Sequence, residues 1–170
     1  MKFADIPQLT EDANYRINMP WDYLESWLTK DRDGVIPDLN PPFQRAHVWT
    51  KAQQVAFVEF MLRGGKGSNE IRFNCVGWME DFRGPFLLVD GKQRLEAVRR
   101  FLDNKLPVFI GHYCGDFEDK LKLAHVDFVM MVNSLPDLKA VLQWYLEINA
   151  GGIAHTKEEL DKVRRLLASE

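Results

Sequence analysis

Cysteine is scarce: Cys75 and Cys114 are the only two in 170 residues. Two thiols cannot build a disulfide scaffold, and they read as buried free cysteines of a reducing compartment. No Cys-x-x-Cys or His-x-x-x-His pair is present, so a zinc site has no ligands at metal spacing. No apolar run approaches the roughly 18 residues that a membrane span needs, and no membrane partner is expected. The stretch Met1-Lys2-Phe3-Ala4-Asp5 lacks the apolar core of a secretory signal, which makes the cytoplasm the expected location. Excess positive charge is also missing. The formal net charge is −3, which argues against a sequence-independent grip on a long duplex.

What is present is the composition of an ordinary globular protein, 46% hydrophobic with five Trp and eleven Phe. The length fits one domain over residues 1–170. No repeat, low-complexity tract or linker divides it, and Asp31 to Pro42 reads as an ordered surface loop. The cations are unevenly spread. Arg94, Arg99 and Arg100 form one group, and Lys162, Arg164 and Arg165 another. A local basic face on a mildly acidic chain suits a compact phosphate ligand better than a duplex, although solvated charge is the plainer reading of either group.

The hydrophobic pattern predicts an α+β arrangement, mixed α/β around a small sheet with surrounding helices. Tyr15 to Met19 reads as a strand. Pro20 fits the first turn of a helix carrying Trp21, Leu24, Trp27 and Leu28 on one stripe. Thr50 is a helix N-cap, and Gly64-Gly65 ends that helix. Glu70 to Trp78 and Pro85 to Val89 read as strands, and the apolar second one is expected to be central. A helix from about Gly91 to Leu102 follows. Pro107 to Ile110 and His125 to Val132 are further strand candidates. Leu138 to Ile148 is a helix stopped by Asn149-Ala150-Gly151-Gly152. Thr156 and Glu159 form a capping box for the last helix.

One segment carries most of the chemistry: Phe86-Leu87-Leu88-Val89-Asp90-Gly91-Lys92-Gln93-Arg94. A strand ends in an acid, then a glycine, then a helix. Helix N-termini expose unpaired N–H groups and partial positive charge, which stabilise an anion. Gly91 would let backbone approach a ligand, and Lys92 and Arg94 add charge-assisted donors. Asp90 would hold a divalent metal, accept from a ribose hydroxyl, or orient Arg94. Each residue type also has an ordinary explanation, as a cap, a turn residue or an exposed helix charge. A second polar segment, Pro41-Pro42-Phe43-Gln44-Arg45-Ala46-His47-Val48-Trp49, sets Gln, Arg and His among Pro and aromatics before a helix. Loops of that kind often bind ligands.

Taken together, Pro42-Phe43-Gln44-Arg45 with Trp49 and Gln53, then Val89-Asp90-Gly91-Lys92-Gln93-Arg94-Leu95, resemble the DGQQR-motif proteins. These include the N-terminal domain of GmrS-type modification-dependent restriction enzymes and related phage-defence proteins, in the ParB/sulfiredoxin-like superfamily. Glu147-Ile148-Asn149-Ala150-Gly151-Gly152 with Thr156 and Glu159 resembles the family's downstream Asn-x-Gly-Gly junction. Gly91-x-x-Arg94-x-x-Ala97 is also similar to the phosphate-contacting box of ParB proteins.

The resemblance implies a ParB-like fold whose turn contacts a nucleoside triphosphate or DNA. It places Gln44 and Arg45 along a pocket, Asp90 to Arg94 as its floor, and Asn149 on one side. On that reading Arg45, Lys92 and Arg94 bind the triphosphate. Asp90 holds Mg²⁺ or positions water, and Gln44 or Gln93 orients it, so that hydrolysis of the nucleotide is a candidate activity. The chain departs from the pattern at Lys92, where the family has Gln. It also has no His-and-Asn nuclease cluster, so DNA cleavage by this chain alone is not expected. Two other readings remain open. One is a DNA-binding or nuclease-like protein with Asp90 and Glu96 as metal ligands. The other is a non-catalytic phage-type protein that binds a host protein, with Trp21 and Trp27 as contacts.

Overall fold

The computed structural model describes residues 6, 15–29, 36–78, 81–119, 123, 125–149 and 157–169. In chain order the elements are β1 (Tyr15–Pro20), α1 (Trp21–Thr29), α2 (Lys51–Leu62), β2 (Glu70–Asn74), β3 (Leu87–Asp90), α3 (Lys92–Leu102), β4 (Asp127–Asn133), α4 (Leu138–Asn149) and α5 (Lys157–Ser169). The fold is α+β, with one four-stranded mixed sheet of order β1-β4-β2-β3. β4 runs antiparallel to β1 and parallel to β2, and β3 is antiparallel to β2. Among the described residues, no helix is long and apolar enough to cross a membrane.

The α1 stripe is as expected. Trp21, Leu24 and Leu28 are buried, and Trp27 packs edge-on against Phe73 and Phe86. Trp21 is 0% exposed, so it is a core residue and cannot be a surface contact for a partner. Pro20 closes β1 instead of entering the helix, which starts at Trp21. Thr50 caps α2 through a full capping box with Gln53, which satisfies donors that the helix cannot satisfy itself. His125 to Val132 contributes the strand β4, whose alternate residues Phe128, Met130 and Val132 are buried. Pro107 to Ile110 is not a strand. Val108 bridges His112 across a tight turn in which Phe109, Ile110 and Gly111 all have positive φ. The described part of the loop that precedes α2 begins at Ile36, and the Gly151-Gly152 junction with its Thr156 cap lies outside the described residues.

The apolar β3 is an edge strand, not a central one. Its composition reports burial on two faces. Leu88 belongs to the cluster built with α1, α2 and α3, whereas Val89 belongs to a second cluster with Phe43, α4 and α5. Hydrophobicity records what covers a strand, not how many strands it hydrogen-bonds. The open edge is closed by loop backbone: Asp38 N–H donates to Phe86 O, and Leu88 N–H donates to Asp38 O. An exposed edge is an aggregation hazard, and covering it with a loop removes the hazard.

A single residue, Gly91, joins β3 to α3. Its φ is +102°, and an added Cβ would lie 3.1 Å from Ile71 Cγ1 and 3.2 Å from Ile71 Cα on β2. The close approach is therefore to a neighbouring strand and not to a ligand. Gly91→Ala is expected to cost about 2–4 kcal/mol, from left-handed strain and overpacking. Urea denaturation would measure it, and a loss below about 0.5 kcal/mol would show that the turn relaxes freely.

Candidate functional site

All eight site residues expected from the sequence line one cavity of about 210 Å³: Gln44, Arg45, Asp90, Gly91, Lys92, Gln93, Arg94 and Asn149. Trp49, Val89, Tyr145 and Ile148 complete its wall. β3 and the start of α3 supply the floor, the loop before α2 one side, and the end of α4 the other.

Two glutamines hold the loop. Gln44 Nε2 donates to Leu88 O and Val89 O, each at 2.8 Å, so its amide extends the closure of the β3 edge. Gln93 is only 7% exposed. Its Oε1 accepts from Val48 N–H at 2.9 Å and Trp49 N–H at 3.1 Å, and its Nε2 donates to Ala46 O at 3.1 Å. Both ends of the Gln93 amide are thus bound to loop backbone. Phe43 anchors the other end of the loop against Tyr145, ring centroids 5.3 Å apart. Asn149 Nδ2 donates to Tyr145 O at 2.7 Å, one turn back along α4.

Asp90 sits between two guanidinium groups. Its Oδ2 accepts from Arg94 Nη2 at 2.8 Å and Arg72 Nη1 at 3.0 Å. Arg72 continues to Glu70 at 2.7 Å, and Glu70 to Arg16 at 3.0 Å. Charges of alternating sign therefore run from the sheet edge to the pocket. Of the choices open to Asp90, the structure displays the orientation of Arg94.

Arg72 was not among the expected site residues. Its signal was present: Glu70 and Arg72 stand two apart on a predicted strand and so share a face. Register places Arg72 opposite Asp90 at an irregularity in the β2–β3 ladder, and bulged positions of this kind re-aim side chains near sites.

Three cations remain oriented on the cavity, and they differ in freedom. Arg45 and Lys92 form no hydrogen bond or ion pair among the described residues. Burial pushes the Lys92 ammonium below its ordinary pKa, against the opposing pull of Glu96 and Asp38. Arg94 is paired through Nη2, yet its Nε is buried with no partner. No side chain caps the N-terminus of α3, whose first N–H groups add partial positive charge at the same place.

A divalent cation finds a poor donor set here. Asp90 is the one carboxylate lining the cavity, and its Oδ2 already faces two guanidinium groups. Glu96 lies outside the lining. Among the described residues, no group of three or more His, Cys, Asp or Glu converges. The described lining does not make a protein-only Mg²⁺ site; Mg²⁺ that arrives with phosphates needs one or two carboxylates.

Gln93→Ala is expected to lower stability by about 2–3 kcal/mol, because Val48 and Trp49 N–H groups would lose their acceptor. Chemical denaturation tests this, and unchanged stability would show that the loop holds itself. No protein-family profile, curated protein or solved structure matches the chain.

Proposed function

We propose that the protein binds a nucleotide through its phosphate in the cavity between β3, α3 and α4. The observation that carries this reading is the pair of cations, Arg45 and Lys92, that line the cavity at an uncapped helix N-terminus and whose side chains make no hydrogen bond or ion pair among the described residues. Half-buried charges without partners are costly, and an anion relieves that cost. Trp49 and Ile148 on the same wall give a ribose or base an apolar surface. The resemblance to DGQQR-motif proteins points the same way. Binding is the part proposed. Turnover draws no support from Gln93, whose amide is engaged by the loop, or from Asp90, which is engaged by arginines. Free Cys75 and Cys114, both buried, fit the cytoplasm as its location.

Thermal unfolding with each of the four common ribonucleotide series should show a stability gain on binding. Lys92→Ala and Arg45→Ala are each expected to weaken the binding about tenfold, or ~1.4 kcal/mol. Affinity should also fall as pH rises through the depressed pKa of Lys92, below the ordinary lysine value. No shift with any nucleotide, in protein that is otherwise folded, would sink the reading.

A protein-docking role has one observation in its favour. Ile110 is fully exposed at the tip of the Val108–His112 turn, with φ at +67°. A β-branched residue is strained there, and strain of this kind collects at functional positions. Ile110→Gly is expected to raise the unfolding free energy by about 1 kcal/mol, which denaturation would check. A loss would mean that Ile110 serves the fold.

A further inference from the structure

We infer that the pocket is matched to a terminal phosphate monoester, so that its ligand is a nucleotide ending in one phosphate and not a nucleoside triphosphate. This rests on the phosphate reading above and narrows it.

Charge balance is the first ground. Among the described residues that line the cavity, Arg45, Lys92 and Arg94 face Asp90, a net charge of +2, with Glu96 and Asp38 acting on Lys92 from outside the lining. A phosphate monoester carries about −1.5 to −2 near neutral pH, which that charge neutralises. A triphosphate adds further charge, usually offset by metal ions that protein carboxylates and the phosphates share. Asp90 is the one lining carboxylate, and Arg72 and Arg94 hold it.

Size is the second ground. The cavity of about 210 Å³ is smaller than the roughly 300–1,000 Å³ of pockets that enclose whole ligands. It suits one phosphate and the sugar next to it. The third ground is placement: Arg94 lines the same cavity as Arg45 and Lys92, and the bond from its Nη2 to Asp90 holds its guanidinium there.

Isothermal titration of the full chain tests this with AMP, GMP, CMP and UMP, their 3′,5′-cyclic forms, and ATP, GTP, CTP and UTP with and without Mg²⁺. The best monophosphate should bind at least about tenfold more tightly than its cyclic form, which keeps base, sugar and phosphorus but has a single charge. It should exceed its triphosphate by a similar factor. Its affinity should fall between about pH 7.5 and about pH 5, as the second phosphate ionisation near 6 is lost. Asp90→Asn, which raises the pocket charge by one, should move preference toward the triphosphate.

A short oligonucleotide with and without a 5′-phosphate separates the two sources of this chemistry. Tighter binding of the phosphorylated strand than of any mononucleotide assigns a strand end, and the reverse assigns a free mononucleotide. A triphosphate binding as tightly as its monophosphate overturns the inference and leaves the phosphate reading standing. Absence of binding by every mononucleotide and oligonucleotide overturns both.

Discussion

The contact between Gly91 and β2 fixes everything around the pocket. β3 must end and α3 must begin within one residue, against a strand whose backbone would crowd a Cβ at 3.2–3.3 Å. Only a glycine takes a left-handed turn at that distance without strain. Once the turn is set, the first residues of α3 radiate about 100° apart. Lys92 lines the cavity with no ion pair among the described residues. Gln93 points inward and holds the loop. Arg94 lies one turn along from Asp90 and pairs back to it. The spacing of three consecutive residues therefore assigns one to the ligand side, one to the scaffold and one to both.

The polar groups divide along that line. Gln44, Gln93 and Asn149 bond to backbone carbonyls or N–H groups. They build the wall and hold it still. The side chains of Arg45 and Lys92 make no hydrogen bond or ion pair among the described residues. Asp90 stands between the two sets. Without its charge, Arg72 and Arg94 would meet across the β2–β3 ladder as like charges. With it, Arg94 is held in place on the cavity wall. A wall fixed in advance lowers the ordering cost of binding, since less has to be immobilised when the ligand arrives.

Much of the site was legible in the sequence because its parts are local. A strand, an acid, a glycine and a helix in succession can be read from nine residues, and the loop and helix end that complete the pocket carry their own punctuation. The α1 stripe and the Thr50 cap were readable for the same reason. Sheet order was not. β3 looks central because both faces are covered, yet its edge is sealed by Asp38 and Gln44 from a loop some 45 residues earlier. Arg72 escaped notice because its importance lies in register across a ladder, which alternation alone does not reveal. In sequence, Gln93 and Arg94 both read as facing the ligand, one to orient water and the other to bind phosphate. Only the distance to Ala46, Val48 and Trp49 shows that one of them is buried in scaffold.

The same bonds bear on chemistry as well as on architecture. A residue that orients water for attack on a phosphate needs a free acceptor or donor at the reacting centre. In this pocket the candidate amides are engaged with backbone and the carboxylate with guanidinium groups, so the groups that could orient water are the ones that hold the wall. The groups left over are cations, which attract phosphate and do not move its protons. On the proposed reading, a pocket built this way would bind a phosphate ligand through its cations. On that reading, its charge, set by Asp90 against three cations, is the property that would decide which phosphate it retains.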